Sequence, residues 1–146
     1  MCDAIDQSVG HALAQLCKAH RYAVDSALRA LPRHELRVGQ EQLLLQLWAA
    51  DGISQSQLVE RLCVEPPTVT RMLQRIEADG LVERRPDRED ARISRVYLTT
   101  KGRALEAEVV AAWAAVEARA TAGLSADEQA LLRRLLNHMR ENLAEA

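Results

Sequence analysis

The chain has no phenylalanine, and Trp48, Trp113, Tyr22 and Tyr97 are its only tryptophans and tyrosines. Its core must therefore be built from aliphatic side chains. Cysteine is scarce too: Cys2, Cys17 and Cys63 form no CxxC pair and no metal-ligand spacing, which argues against a disulfide scaffold. The histidines, His11, His20, His34 and His138, are scattered, so neither a zinc site nor any other metal site is expected. No apolar run approaches the roughly 20 residues that a bilayer requires. The stretch from Met1 to Val9 lacks the basic start and apolar block of a signal peptide, and a cytoplasmic location is expected. There is no internal repeat and no low-complexity linker. No nucleophile–base pair, glycine-rich phosphate loop or clustered acid pair appears. The expectation is a protein that is not an enzyme and needs no cofactor.

What is present is a single globular domain over residues 1–146, with 48% apolar residues and a net charge of −2. Its distribution says more than its sum. Residues 53–103 hold ten Arg or Lys against eight Asp or Glu, or 10 − 8 = +2, and the remainder holds nine against thirteen, or 9 − 13 = −4. Basic excess on one segment of an acidic chain marks the part suited to phosphates. Apart from Lys18 and Lys101, every cation is arginine.

Apolar periodicity predicts mostly helix. Ile5, Val9, Leu13, Leu16, Ala23, Ala27, Leu28 and Leu31 recur at helical steps over residues 4–31, and Pro32 should close that helix. A short connection from Arg33 to Gly39 leads to a helix over Gln40 to Ala50, with Leu43, Leu44, Leu47 and Trp48 inward. Asp51-Gly52 is a turn signal, and Ile53 can add a short strand. Further on, Thr99 is a suitable N-cap for a helix running to about Ala120, with Leu105, Val109, Ala112, Trp113 and Val116 on its apolar face. After Gly123, Ser125 to Glu128 reads as a capping box, with Leu124 as a possible staple. The last helix carries Leu131, Leu132, Leu135, Leu136, Met139 and Leu143, more than one thin amphipathic face needs.

Between these helices lies the stretch that organises the rest. Ser54 to Gln57 is another capping box, opening a helix to about Leu62 that turns Leu58, Val59 and Leu62 inward. Cys63-Val64-Glu65 turns the chain, and Pro66 and Pro67 occupy a first helical turn, where a missing N–H is tolerated. The second helix points Val69, Met72, Leu73 and Ile76 inward and ends at Gly80. Its other face, Thr68, Thr70, Arg71, Gln74 and Arg75, is polar, then basic. Strand candidates Leu81 to Arg85 and Ser94 to Leu98 flank a charged tip from Pro86 to Arg92.

This stretch resembles the winged helix-turn-helix of the MarR family of bacterial transcriptional regulators. The resemblance rests on Pro66-Pro67-Thr68-Val69-Thr70-Arg71, on Asp79-Gly80-Leu81-Val82, and on Asp87, Asp90, Arg92 and Leu98-Thr99-Thr100-Lys101-Gly102. It implies a mainly α fold with a small β wing, the winged region spanning residues 39–103 and dimerisation helices spanning residues 4–31 and 104–144. It implies a homodimer on a pseudo-palindromic double-stranded DNA operator, with no membrane association.

On that resemblance, Pro67, Thr68, Thr70 and Arg71 enter the major groove. Threonine methyls can meet thymine methyls there, and arginine can bond guanine O6 and N7. Gln74 and Arg75 lie further along and suit phosphates. Arg92 enters the minor groove with Asp90 holding its guanidinium. Arg88 sits at the tip, where many relatives have proline. Arg84, Arg85 and Arg95 are either phosphate contacts or structural ion pairs. Glu65 departs from the small cap common in relatives and is expected to cap the helix rather than face DNA. A small aromatic or phenolic effector would sit between the dimer helices and the winged region, near His11, Gln15, His34, Trp48 and Trp113.

Two other readings stay open. Cys63 stands where relatives often have glycine, and Cys17 lies broadly where some hydroperoxide-sensing relatives keep a reactive cysteine. Those relatives add tyrosines on neighbouring helices, and here only Tyr22 is near. A thiol-based redox sensor on the same scaffold is the first alternative. A winged-helix module that binds only protein is the second.

Overall fold

The computed structural model describes residues 5–32 and 36–144, so Cys2 and His34 lie outside the described residues. Within the helix expected over 4–31, of which residue 4 lies outside the described residues, helix α1 spans Val9–Arg29. Ser8 sets its start, its Oγ accepting from the His11 N–H at 3.1 Å. Ala30 caps its end, and Leu31 N–H then bonds the Leu28 carbonyl in a tighter final turn before Pro32. Gly39, at φ 101°, admits the sharp entry to α2, Gln40–Ala49. A two-residue strand β1, Ile53–Ser54, leads into α3, Gln55–Leu62, and then α4, Pro66–Ala78.

Strands β2, Val82–Pro86, and β3, Ser94–Leu98, form the hairpin. The sheet order is β1-β3-β2, antiparallel throughout, with Ile53 opposite Val96 and Val82 opposite Leu98. The anticipated strand at Ile53 is therefore real. Alternation along β3 buries Val96 and Leu98 and leaves Arg95 and Tyr97 half-exposed.

The helix expected from Thr99 to about Ala120 is two: α5, Thr100–Ala104, and α6, Glu106–Ala120, joined at Leu105. Thr99 does cap the start, its Oγ1 accepting from Gly102 N–H at 3.1 Å. The break at Leu105 lets α5 stay against the sheet while α6 packs along α1. The last helix, α7, spans Ala126–Ala144, preceded by the expected reciprocal Ser125–Glu128 capping bonds.

The core is aliphatic, as the missing phenylalanines require. Leu28 of α1, Leu43, Leu44 and Leu47 of α2, Leu58 of α3 and Val69, Leu73 and Ile76 of α4 are fully or almost fully enclosed, with Val96 and Val109. Burial of each such side chain contributes about 1.5–3 kcal/mol. Val24, absent from the periodic set read for α1, is buried as deeply as Leu28. By contrast, α7 buries none of its residues; Leu131, Leu132, Leu135 and Leu143 are exposed, as are Val9, Leu16 and Tyr22 of α1.

One close approach fixes the end of the wing against the helices. A Cβ built on Gly102 would lie 2.1 Å from the Leu81 carbonyl oxygen, and the Gly102 carbonyl accepts from Trp48 Nε1 at 3.1 Å. The clash is with backbone, which cannot step aside as a flexible side chain would. Gly102→Ala should therefore destabilise the fold by at least the ~1–3 kcal/mol of a core overpacking change. Urea unfolding of the variant is the check, and a wild-type midpoint would contradict the constraint.

Candidate nucleic-acid interface

Local chemistry sets the angle between α3 and α4. Ser54 forms the full capping box: its Oγ accepts from Gln57 N–H, and the Gln57 side chain accepts from Ser54 N–H at 3.1 Å. At the far end Cys63 adopts the left-handed conformation, φ 51° and ψ 41°, a region that side chains other than glycine rarely enter. Glu65 follows as N-cap of α4, but its side chain makes no capping bond, contrary to expectation. The reason lies in the prolines. Pro66 and Pro67 offer no N–H, and Thr68 N–H already bonds the Glu65 carbonyl at 2.9 Å. No donor is left for the carboxylate to cap.

The outer face of α4 divides into committed and free groups. Pro67 is exposed and Thr68 half-buried at the N-terminal end. Thr70 is less free than its position suggests. Its hydroxyl donates to the Pro66 carbonyl at 3.0 Å and accepts from Gln55 Nε2 at 2.9 Å. Its methyl is what remains for a base. Gln55 is a positioning residue that sequence reading missed, because a bond from the first helical residue of α3 to α4 leaves no local signature. Arg71, Gln74 and Arg75 are exposed and make no side-chain hydrogen bond or ion pair among the described residues.

The wing is built on Asp87. Its Oδ1 accepts from the N–H groups of Glu89 and Asp90 at 2.8 and 3.1 Å, and its Oδ2 accepts from Arg95 Nε. These bonds, the Arg95 contact foremost, hold its pKa down at about 2. Arg95 also reaches the Gly52 carbonyl at 2.9 Å, tying the tip to the turn before β1. Asp90 holds Arg92 by two side-chain bonds of 3.0 Å, while that guanidinium stays 91% exposed. This contact lowers the Asp90 pKa and raises that of Arg92. An arginine both oriented and almost wholly open is presented outward. Arg88 is exposed beside it without a partner among the described residues.

All three strand arginines are in ion pairs in the structure. Arg84 bonds Glu77 Oε2 at 2.7 and 3.0 Å, lowering that carboxyl's pKa and clamping β2 to α4. Arg85 pairs with Glu83 and lies 5.1 Å over the Tyr97 ring. Arg95 is committed to Asp87.

Among the described residues, the effector candidates do not line one cavity. His11 and Gln15 bond each other on α1 at 3.2 Å. Trp48 is half-buried and committed to Gly102. Trp113 meets the edge of His20 at 5.3 Å and lines two clefts. One holds Gln42, Gln46 and Arg61; the other is apolar around Glu41; neither is lined by His11, Gln15 or Trp48. Glu41 is fully buried with Oε1 unpaired, and burial raises its pKa. Cys17 and Cys63 are both exposed, and no group of three or more potential metal ligands occurs among the described residues.

Comparison with known proteins places this geometry. The MarR family model matches residues 37–94. The HTH-type transcriptional regulator TtmR of Methylorubrum extorquens (strain PA1) is 39% identical over 100 residues, 66% of this chain and 51% of its own length. The chain thus spans about half the length of that relative. A mutant MarR from E. coli, solved in complex with operator DNA, superposes with a TM-score of 0.81 at 28% identity, covering 90% of this chain and 92% of that one. The structure of Bordetella bronchiseptica BpsR, whose DNA binding is regulated by 6-hydroxynicotinic acid, gives 0.83 at 26% identity over 92% and 94%.

The wing's carboxylates carry a pH signature. Asp87 has its folded pKa depressed from 3.8 to about 2, so its stabilising bonds are complete above pH 3.8 and are lost as the pH falls toward 2. Asp87→Asn should flatten this acid limb of stability, measured as urea midpoint against pH. An unchanged limb would remove Asp87 as the organising group of the wing.

Proposed function

Because the chain belongs to the MarR family of transcriptional regulators, we propose that it is a homodimeric, sequence-specific DNA-binding regulator, acting as a repressor that a small aromatic or phenolic ligand releases. The observation that carries the DNA reading is the free polar and basic face of α4 beside an Arg92 held open by Asp90. Pro67, Thr68, Thr70 and Arg71 read bases in the major groove; Gln74, Arg75 and Arg88 contact the backbone; Asp90 and Arg92 test the minor groove. The operator-bound MarR and the ligand-regulated BpsR support both halves of this reading.

The dimer is the destination for the exposed leucines of α7 and the outer face of α1, within dimerisation segments 4–31 and 104–144 that flank the reading region 39–103. Two copies of α4 then occupy successive major grooves of a pseudo-palindrome, about 34–36 Å apart. The effector binds between the dimer helices and the reading region, among His11, Gln15, His34, Trp48 and Trp113, and favours the spacing that cannot bind operator.

Gel shift on the DNA upstream of the protein's own gene tests this. Arg71→Ala should cost about 1–3 kcal/mol and relax base preference, and Arg92→Ala should also weaken binding. Full affinity in both variants would eliminate the reading head, and no shift at all would favour a module that binds only protein. A phenolic ligand panel should include a compound that reverses the shift.

The exposure of Cys17 and Cys63 favours one second reading, redox sensing on the same scaffold. The ligand-release reading expects operator affinity to survive peroxide treatment. A loss abolished by Cys17→Ser or Cys63→Ser would put the redox reading in its place.

A further inference from the structure

Two hydrogen bonds give the Thr70 hydroxyl a single arrangement. The Pro66 carbonyl, 3.0 Å from Oγ1, can only accept, so the hydroxyl proton is directed to it. Toward Gln55 the hydroxyl must then act as acceptor, which places the amide Nε2, not Oε1, at 2.9 Å. With its one proton spent, Thr70 cannot donate to guanine O6 or N7, adenine N7 or thymine O4. A helical threonine divides between two side-chain rotamers. The Gln55 amide, reaching across from the first residue of α3, is the second partner that holds one of them. Pro67, exposed and three residues before Thr70, lies on the same helix face, so its ring and the Thr70 methyl are neighbours there.

We propose that Gln55 is a positioning residue for base selection: through the Thr70 hydroxyl it aims the Thr70 methyl, and α4 thereby selects a thymine by its 5-methyl group. This rests on the DNA reading above and names what one residue of that site recognises. The 5-methyl of thymine is the apolar feature that base edges present in the major groove. Meeting a methyl and a proline ring, it leaves water together with them, and a base without that methyl forfeits the contact. A threonine whose hydroxyl were free would be ambiguous, because it could also turn to bond a purine. Gln55 removes that ambiguity. It stands on the helix that precedes α4, so its effect on base choice passes through Thr70.

On the operator found by gel shift, each thymine of one half-site is replaced in turn by deoxyuridine, which keeps every hydrogen-bonding group and removes only the methyl. At least one replacement should weaken wild-type binding about fourfold, the factor that burial of one methyl-sized group corresponds to. The ratio of thymine to uracil affinity is taken within each variant, so a change in folded fraction cancels. Thr70→Ser keeps the hydroxyl and lacks the methyl, and should bind both bases equally at that position. Thr70→Val keeps the methyl and lacks the hydroxyl. It should retain the preference whatever its overall affinity, because a helical valine holds one rotamer unaided. Gln55→Ala should shrink the preference when Thr70 is present and not when valine replaces it. Absence of any uracil-sensitive position, or a full set of preferences kept by Thr70→Ser, would overturn the methyl reading. Equal weakening of thymine and uracil operators by Gln55→Ala would make Gln55 a phosphate contact and overturn its positioning role. If wild type shifts no DNA, the DNA reading falls and takes this proposal with it; a shift without uracil dependence removes this proposal alone.

Discussion

Leu81 and its contacts with the segment from Thr99 to Gly102 are the joint on which the reading unit depends. The Leu81 N–H bonds the Ile76 carbonyl and its own carbonyl accepts from Thr99 N–H, so the end of α4 is pinned to the start of the trailing helix. Thr99 Oγ1 donates to the Gly80 carbonyl at 2.6 Å and Lys101 Nζ to that of Asp79 at 2.7 Å. These bonds satisfy the Asp79 and Gly80 carbonyls, at and just past the helix end, with partners 22 and 19 residues further along the chain. Gly102 is required there because its Cα passes against the Leu81 carbonyl, and Trp48 then anchors α2 to the same point. Position 102 needs glycine for space, not for backbone freedom.

From that joint outward, the arginines separate by what they are bonded to. Arg84, Arg95 and Arg103 are spent on Glu77, Asp87 and Asp51, holding β2, the wing tip and the turn before β1 in place. Asp51 also accepts from Leu98 N–H, so one carboxylate serves both sheet and helix. Arg71, Arg75 and Arg88 have no such partner among the described residues. Arg92 is intermediate: paired with Asp90, yet open. Exposed pairs of this kind contribute little stability, so their use lies in fixing direction. A wing held this way presents Arg92 without having to order it on binding.

The sequence made the reading head legible because its signals are local. The capping box at Ser54, the prolines at the start of α4, Gly80 at its end and the alternation along β3 each act within a few residues. What escaped is non-local. The Gln55–Thr70 bond, the break at Leu105 and the burial of Val24 depend on which neighbour each element meets. Glu65 misled for a related reason: a carboxylate at an N-cap ordinarily finds a donor, and here the prolines had removed one. The five effector candidates were drawn from resemblance and residue type alone, and neither periodicity nor spacing could bring them to one cavity.

The remaining apolar surface bears on how a reading head of this kind is controlled. Helix α6 packs along α1 and also meets α2, so the outer helices share a core with the DNA-reading part. Glu41 sits at that meeting, enclosed by Val24, Leu28, Val109 and Trp113, with one oxygen held by Gly39 N–H and the other unpaired. An ionised carboxyl there would carry an unmet charge in an apolar place, and this is the cost that raises its pKa. The same junction is connected through α2 and the Trp48–Gly102 bond to the Gly102 joint. On the proposed dimer, the partner holds the exposed faces of α1 and α7. On the reading proposed above, a ligand near Trp113 acts on this junction from the side of the outer helices. On that proposal the ligand alters the separation of two reading heads, each held internally by the Leu81–Thr99 and Asp87–Arg95 bonds.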